Sequence, residues 1–481
     1  MNSPAEEDLY QNPLITRYAS REMATLFSAR RRTETWRELW VYLAEAEREQ
    51  GLKITPAQIA ALKKNIANID WNVIAEREKK VRHDVMAHVY AFGLVAPVAA
   101  PIIHLGATSC YVTDNGDLII MREALRLLAA KTAAVIAALA DFAKKHRALP
   151  TLGFTHFQPA QPTTVGKRAT LWAQDLALDL AEIERRVAEL PLRGATGTTG
   201  TQASFMELFN GDEKKIAALN KSLLKKCGFA KLLSVTGQTY TRKLDSQILA
   251  ALAGIGESAH KFATDLRLLA GKKEIEEPFE KSQIGSSAMA YKRNPMRSER
   301  ICSLARFLMS LPANAYATHA TQWLERTLDD SANRRLTLPQ AFLAADATLE
   351  LCANVANGLV VYPKIIERNL MAELPFMMTE NILMAVVKAG GDRQELHEKI
   401  REHSQAAAAE VKQRGRDNDL LSRLQNDAAF AVIAKDFKRL ADPALYVGRA
   451  PAQVDDFVKQ CVAPLKRRYG KTRQLGQQIK V

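Results

Sequence analysis

Helical periodicity over long segments constrains the fold of this chain most strongly. Apolar residues recur every three or four positions from Leu244 to Leu269, over about seven helical turns, and again from Val165 to Ile183. A helix of this length with one apolar stripe must bury that stripe against similar helices. Because alternating strand patterns are scarce, the sequence predicts an all-α fold built on a bundle of long helices.

Other segments predict further helices and some of their ends. The alanine- and leucine-rich segment 116–145 and the series that begins at Ile301 have the same helical period. Gly51 is placed to end the helix before it, and residues 55–58 form a capping box that predicts the start of the next helix. The segment that follows Pro363 predicts a boundary to a smaller C-terminal helical region.

Composition is that of an ordinary globular protein, with 47% hydrophobic and 25% charged residues. No apolar run reaches the roughly 18 residues that a membrane-spanning helix needs. The first residues, MNSPAEEDLYQNP, are acidic and polar, unlike a signal peptide. The five cysteines form no CxxC pair, which is typical of free thiols in a reducing compartment. We therefore expect a cytoplasmic protein without a membrane partner.

The net charge of +14 is spread along the whole chain. The short basic clusters at 30–32 and 466–468 have few aromatic neighbours, which argues against a nucleic-acid surface. A nucleic-acid-binding helical protein would bind duplexes with a steep salt dependence. Two interpretations of the diffuse charge stay open: a solvated surface without a function, or a positive potential focused into clefts that bind a small polyanion.

Four polar segments rich in glycine and threonine connect the predicted helices. They cover 104–115, 152–162, 193–204 and 283–295. Loops on a rigid scaffold are where catalytic groups usually lie, so these segments are the candidate sites.

The segment 285–295, GSSAMAYKRNP, is the most specific of them. Lys292 and Arg293 supply positive charge, while Asn294 as an N-cap and Pro295 as the first helical residue predict the start of a helix. Hydroxyls and cations at that position would stabilise an anion, or a carbanion beside a carboxylate. A capped loop that binds nothing is the alternative.

Other candidate residues have weaker signals. His156 lies between proline-bounded turns, where a histidine is either structural or an acid–base group. His83 and His88 lack the spacing of a zinc pair, and no HExxH or CxxC occurs, so metal catalysis is not expected. The segment 196–202 lacks the GK[ST] of a P-loop. Arginines in ERTLDDSANRR (325–335) fit either a phosphate clamp or a salt-bridged helix start.

GSSAMAYKRNP resembles the GSSxMPxKxNP loop of the fumarase/aspartase superfamily. Within it, eight ordered segments are similar to those of adenylosuccinate lyases, the animal type above all: RHDVMAH, HLGATSCYVTDN, GFTHFQPAQPTTVGKR, GTTGTQASF, TGQTYTRK, KRNPMRSER, ERTLDDSANRR and LPFMMTENI. Ala290 departs from the superfamily pattern, which has proline there. Alanine is less rigid than proline, so we expect a more mobile loop.

The resemblance implies a three-domain, nearly all-α fold whose long central helices form a twenty-helix core in a homotetramer. It also implies active sites built from three subunits, and the release of fumarate from adenylosuccinate and from the succinylated aminoimidazole carboxamide ribotide, without a cofactor or metal. The expected domains are an N-terminal helical domain (1–108), a central bundle (109–361) with the signature loop (283–295), and a C-terminal helical domain (362–481).

The resemblance also implies the roles of individual residues. Ser286 would remove the Cβ proton, and His156 would protonate the departing nitrogen. Lys292 would stabilise the charge near Ser286, and Glu299 would orient His156. The implied substrate-binding residues are Arg17, Tyr18, Arg82, His83, Asp84, Thr108, Ser109, Gln238, Asn294, Arg300, Arg326, Ser331 and Arg335.

Two alternatives remain closest to this hypothesis. Another lyase of the superfamily, such as an argininosuccinate lyase, is disfavoured by the arginine-rich segment 325–335, which suits a phosphorylated substrate. A non-catalytic homologue that serves as a binding protein is disfavoured because His156, Ser286, Lys292 and Glu299 are all retained.

Overall fold

The computed structural model describes residues 8–470, and helices dominate them. The N-terminal part contains α1 (Arg21–Leu26), α2 (Ala29–Glu49), α3 (Pro56–Lys64), α4 (Trp71–Val81) and α5 (Asp84–Val95). The central part contains α6 (Ser109–Lys145), α7 (Val165–Glu189), α8 (Ala203–Leu208), α9 (Glu213–Lys226), α10 (Lys243–Gly271), α11 (Met296–Ser310), α12 (Pro312–Ala320) and α13 (Asp330–Gly358). The C-terminal part contains α14 (Pro363–Met377), α15 (Thr379–Lys388), α16 (Arg393–Arg414), α17 (Leu420–Asn426), α18 (Phe437–Leu440), α19 (Ala450–Phe457) and α20 (Ala463–Tyr469).

Shorter elements complete the described chain. Strand β1 (Pro150–Thr155) pairs antiparallel with β2 (Gln158–Thr164), and β3 (Ile275–Glu276) pairs antiparallel with β4 (Val360–Val361). The 3₁₀ turns are Pro97–Ile102, Ala428–Ile433 and Pro443–Tyr446, and the π turns are Leu14–Tyr18 and Val458–Val462. The prediction of an all-α fold class is therefore confirmed.

The central helices bury the stripes that their sequences predict. Leu252, Ile255 and Phe262 of α10 are fully buried. The Trp172 ring of α7 lies 5.2 Å from that of Phe262, and its indole N–H donates a 2.7 Å hydrogen bond to Asp265. Each large apolar side chain buried in this way contributes about 1.5–3 kcal/mol. Periodicity therefore predicted α7 and α10 correctly.

Local signals at two helix ends are also confirmed. The Thr55 hydroxyl accepts a hydrogen bond from the Gln58 backbone N–H, and the Gln58 side chain accepts one from the Thr55 N–H. Gly51 follows α2 with a φ of 99°, a left-handed conformation that glycine adopts at little cost.

Two predicted boundaries are wrong. Helix α6 begins at Ser109, so residues 109–115 are helical although we expected a connection there. Asp114 and Asn115 of this segment are buried and bonded: the Asn115 amide, for example, bonds to both backbone groups of Gly194. The helix that contains Ile301 ends at Ser310. Pro312 then begins α12, because proline is tolerated in a first turn and not in a helix interior.

The first hairpin corrects the expectation that 152–162 is an irregular connection. Its two loop residues, His156 and Phe157, both have positive φ angles, 52° and 58°. Two-residue hairpin loops with this conformation match the twist of the strands that they join. The prolines of β2 are compatible with it because β2 is an edge strand of a two-stranded sheet.

The C-terminal part has a core of its own. Leu374, Ile382, Leu396 and Phe430 belong to one buried cluster there, whereas Val454 of α19 packs against the central core. Within residues 8–470 no single helix is long and apolar enough to cross a membrane, and only the bent pair α14–α15 passes a test of length and composition. The three domain ranges stay a prediction.

The central bundle has two ends, which we call the pocket end and the hairpin end. At the pocket end α6, α10 and α13 begin, and Arg242 bonds to Asp330. At the hairpin end β3 pairs with β4, and Arg297 at the start of α11 bonds to Asn354 near the end of α13. The helical rise of 1.5 Å per residue puts Ser331 and Asn354 about 35 Å apart along α13.

Candidate active site

A cavity of about 750 Å³ opens at the pocket end. Three helices begin at it: α5 at Asp84, α6 at Ser109 and α13 at Asp330. The positive ends of helix dipoles favour anions. The structure brings most of the predicted substrate-binding residues to this cavity: Arg82, His83, Asp84, Ser109, Gln238, Arg326, Ser331 and Arg335. Thr108 does not line the cavity, although it immediately precedes Ser109.

His83 is the N-cap of α5. Its Nδ1 lies 3.3 Å from the backbone N of Met86, which donates a hydrogen bond to it. In neutral His83 the proton is therefore on Nε2, which makes that nitrogen a donor. A donor beside the cationic side chains suits an anionic or carbonyl group of a ligand.

Buried ion pairs form the floor of the cavity. Arg242 bonds to Asp114 at 3.1 Å and to Asp330 at 2.7 Å, and all three side chains are about 1% exposed. Burial favours the neutral form of Asp114, but the positive charges of Arg242 and Arg334 outweigh it and lower the pKa of Asp114. The floor therefore favours the carboxylate form of Asp114, which Arg242 links to Asp330.

The sequence of segment 325–335 fits either a phosphate clamp or a salt-bridged helix start, and the structure has features of both. Arg334 is a structural residue, since it is buried and bonds to Asp245 at 2.7 Å and to Asp117 at 3.0 Å. Arg326 and Arg335 line the cavity with more exposed side chains, 25% and 61% exposed. Part of the segment is thus a salt-bridged helix start, and part of it is available to a ligand.

Sequence reasoning missed several residues of the cavity. Its apolar wall includes Phe27, Trp36, Met121 and Leu338. These residues have the helical spacing of core residues, so the sequence contains no signal that separates them from the core. The floor residues Asp114 and Arg242 were missed because nothing in the sequence indicates that they pair.

The signature loop (283–295) lies at the hairpin end. The Ser286 hydroxyl oxygen accepts hydrogen bonds from the backbone N–H groups of Ala288 (3.3 Å) and Met289 (3.1 Å). Gly285 is required here because a Cβ atom would lie 2.3 Å from the Lys292 carbonyl oxygen. Lys292 itself is exposed. The loop therefore holds Ser286 through main-chain donors and includes an exposed cation, Lys292.

The start of α11 differs from the prediction. The helix begins at Met296, and Asn294 does not cap it: its side-chain amide donates to the Gly285 carbonyl at 2.8 Å. The buried carboxylate of Glu277 takes the capping position, since it accepts bonds from the backbone N–H groups of Arg297 (2.9 Å) and Ser298 (2.8 Å). The Asn294 side chain instead joins the end of the signature loop to Gly285 near its start.

The other predicted residues lie apart from the cavity. The Arg300 guanidinium lies 5.5 Å from the centre of the Tyr18 ring, and Arg17 precedes Tyr18 on an exposed turn. Glu299 is exposed in the first turn of α11. Among residues 8–470, no hydrogen bond or ion pair joins Glu299 to His156, so their proposed pairing does not occur within one chain of this structure.

His156 lies exposed at the tip of the β1–β2 hairpin. Below the tip, the Phe154 and Phe157 rings stack at 5.5 Å, and Lys272 at the end of α10 lies 4.7 Å from the Phe154 ring. The hairpin is therefore fixed to the same end of the bundle as the signature loop. Helix length therefore separates His83 from both Ser286 and His156, whereas Ser286 and His156 lie at the same end of the bundle.

Comparison with known proteins identifies the family. A lyase family model matches residues 18–309, and a model of the adenylosuccinate lyase C-terminus matches residues 375–457. The adenylosuccinate lyase of Saccharomyces cerevisiae is 55% identical over 95% of each chain. That of Schistosoma mansoni is 52% identical over 96% of this chain and 97% of its own. This chain belongs to the adenylosuccinate lyase family.

Solved structures agree with this assignment at the level of the fold. The 3-carboxy-cis,cis-muconate lactonizing enzyme of Pseudomonas putida has a TM-score of 0.80 at 23% identity, covering 95% of this chain and all of its own. A fumarate lyase of Mesorhizobium sp. BNC1 has a TM-score of 0.77 at 23% identity, covering 94% of this chain and all of its own. The predicted membership of the adenylosuccinate lyase family is confirmed, which disfavours an argininosuccinate lyase.

Proposed function

We propose that this member of the adenylosuccinate lyase family releases fumarate by β-elimination from adenylosuccinate, giving AMP, and from the succinylated aminoimidazole carboxamide ribotide, both in purine nucleotide biosynthesis. The observation that carries the proposed chemistry is the environment of Ser286, whose oxygen accepts two backbone N–H bonds. Such donors stabilise an alkoxide, the form of serine that removes a proton. The activity that names the relatives supports the choice of substrate.

The cavity at the pocket end suits a nucleotide. Its volume, about 750 Å³, is within the range of about 300–1,000 Å³ that small-molecule sites occupy. Phosphate and carboxylate groups are bound well by forked guanidinium donors, which Arg326 and Arg335 supply. We assign the phosphorylated part of the substrate to this cavity.

The reaction needs one base and one acid. Ser286 takes the proton from Cβ of the succinyl group, and the electron pair left on that carbon is delocalised into the adjacent carboxylate, whose added charge Lys292 offsets. The C–N bond then breaks, so that the pair forms the double bond of fumarate. His156 gives a proton to the departing nitrogen, which completes AMP.

A complete site requires more than one chain. Ser286 lies at the hairpin end and Ser331 at the pocket end, and these ends are about 35 Å apart when measured along α13 from Ser331 to Asn354. Antiparallel association of chains would bring the two ends together. We therefore propose a homotetramer with shared sites, in which His156, the signature loop and the cavity come from three subunits, and we propose a cytoplasmic location.

The deciding experiment is a spectrophotometric assay of the purified chain. We expect adenylosuccinate to give AMP and fumarate in equal amounts, and argininosuccinate to remain intact. Cleavage of argininosuccinate alone would favour another lyase of the superfamily. Binding of AMP without turnover of either compound would favour a non-catalytic homologue.

A further inference from the structure

A chain of buried charges connects the interior of the protein to Arg326 at the cavity. Asp114 accepts from both terminal nitrogens of Arg242, at 3.1 and 3.3 Å. The Nε of Arg242 donates to Asp330 Oδ2 at 2.7 Å, and the same oxygen lies 3.7 Å from the Arg326 guanidinium. Arg326 is thus the outermost member of a series of four alternating charges.

Exposure changes sharply along this series. Asp114, Arg242 and Asp330 are about 1% exposed, whereas the Arg326 side chain is 25% exposed. The second oxygen of Asp330, Oδ1, is buried without a hydrogen-bond partner among the described residues. A buried carboxylate that keeps one oxygen unpartnered costs free energy, so its retention needs an explanation beyond packing.

We propose that Asp330, held by Arg242, is a positioning residue that fixes the Arg326 guanidinium toward the cavity before the substrate binds. A long arginine side chain loses considerable rotamer freedom when it binds an anion. The Asp330 carboxylate, 3.7 Å from the Arg326 guanidinium, removes part of that freedom in advance, which raises the affinity for the anion. This inference rests on the proposed function, in which Arg326 binds an anionic group of the nucleotide.

The test is a double-mutant cycle on Asp330→Asn and Arg326→Ala. Arg326→Ala should raise KM for adenylosuccinate and Kd for AMP by about tenfold or more, because a charged hydrogen bond is lost. Asp330→Asn should raise both several-fold with little change in kcat. In the Arg326→Ala background, Asp330→Asn should have no further effect, because Asp330 acts through Arg326. Independent, multiplying effects would overturn the proposal.

Asp245→Asn is the matched control. Asp245 is also buried and pairs with Arg334, but no hydrogen bond or ion pair among the described residues joins it to Arg326. Both variants should lower the unfolding temperature, whereas only Asp330→Asn should change Kd for AMP. If Asp245→Asn changed Kd for AMP as much as Asp330→Asn does, Asp330 would have only a structural role.

Asp330→Glu gives a second measurement if Asp330→Asn fails to fold. It keeps the charge that Arg242 requires but displaces the carboxylate by one methylene group. We expect a folded protein with a raised Kd for AMP and again no further effect when Arg326 is alanine; an unchanged Kd would contradict the inference. Because Kd is measured without turnover, loss of the proposed reaction in the wild-type chain and loss of the positioning effect are separate results.

Discussion

Arg335 donates a 2.9 Å hydrogen bond to Asp84, which joins the start of α13 to the start of α5 at the rim of the cavity. The Arg335 side chain is 61% exposed and the Asp84 side chain 32% exposed. An exposed ion pair of this kind contributes at most about 1 kcal/mol to stability. Its charges therefore remain available to a ligand at little cost to the fold.

We expect Arg335→Ala to raise KM for adenylosuccinate about tenfold or more and to leave the unfolding temperature nearly unchanged, because a desolvated anion loses a charged donor. Steady-state kinetics measure the effect. Arg449→Ala is the control, since Arg449 forms an exposed ion pair with Asp456 and does not line the cavity. If KM were unchanged in both Arg335→Ala and Arg326→Ala, segment 325–335 would have only a structural role.

The two adjacent serines of the signature loop offer a matched test of the base. Ser286→Ala should reduce kcat by roughly 10²–10⁴-fold, which is the usual contribution of an acid–base group. Ser287→Ala should keep most of the activity, because Ser287 is exposed and its hydroxyl makes no described hydrogen bond. Near-normal turnover by Ser286→Ala would show that another group removes the proton.

Catalysis should not require a metal ion. Among the described residues, no group of three His, Cys, Asp or Glu side chains is arranged to hold one. We expect dialysis against a chelator to leave turnover unchanged. Loss of turnover that a divalent ion restores would overturn the mechanism in which Ser286 and His156 act without a metal.

Glu47 should make the stability of the fold depend on pH. Its side chain is fully buried, neither carboxylate oxygen has a described partner, and burial raises its pKa to about 9 from an ordinary 4.5. Between these values the folded chain keeps a proton that the unfolded chain has lost. The free energy of unfolding therefore falls as pH rises, by up to about 1.4 kcal/mol per pH unit from this group.

Glu47→Gln removes this ionisation and keeps the shape of the side chain. The free energy of unfolding of the variant minus that of the wild type should increase as pH rises from 5.5 to 8, as measured by urea unfolding. Glu49→Gln on the same helix is the control, because hydrogen bonds from Ser222 and Lys226 outweigh the effect of burial and hold the pKa of Glu49 below its ordinary value. A stability difference for Glu47→Gln that does not change with pH would contradict the prediction.

Periodicity and local signals predicted the helical framework because they depend on residues that are close in sequence. The predictions failed where distant residues decide the structure. Asn294 is a good N-cap by residue type, but Glu277 occupies that position and leaves Asn294 to bond to Gly285. In the same way Asn115 is polar and yet buried in a helix, because Gly194 supplies both of its partners.

The sequence predicted which residues belong to the candidate site, but it did not predict where they lie relative to one another. The resemblance to a family named His83, Ser286 and His156, and it implied that each site is built from three subunits. Which of them share an end of the bundle depends on where the β1–β2 hairpin lies, and the contact of Phe154 with Lys272, just after α10, has no signal in the sequence. The structure therefore decides which pairs of variants test the model of shared sites.

Complementation should occur between variants at opposite ends of the bundle. His83→Ala damages the cavity and Ser286→Ala damages the signature loop, so we expect each variant alone to be nearly inactive. Dissociated together and reassembled, they should regain part of the wild-type activity. Some mixed sites would then combine an intact cavity from one parent with an intact serine from the other. Each parent taken through the same cycle alone must stay inactive.

The pair His156→Ala and Ser286→Ala asks a further question, because both residues lie at the hairpin end and one chain has no length barrier between them. Recovery of activity in this mixture would mean that the acid and the base of one site come from different subunits, as the three-subunit model requires. Exchange of tagged subunits must first show that mixed oligomers form. If they form and only the His83→Ala mixture recovers, each site takes His156 and Ser286 from one chain. If neither mixture recovers, the model of shared sites is wrong, and the cavity must work with groups of its own chain although Ser331 and Asn354, near the two ends of the bundle, are about 35 Å apart along α13.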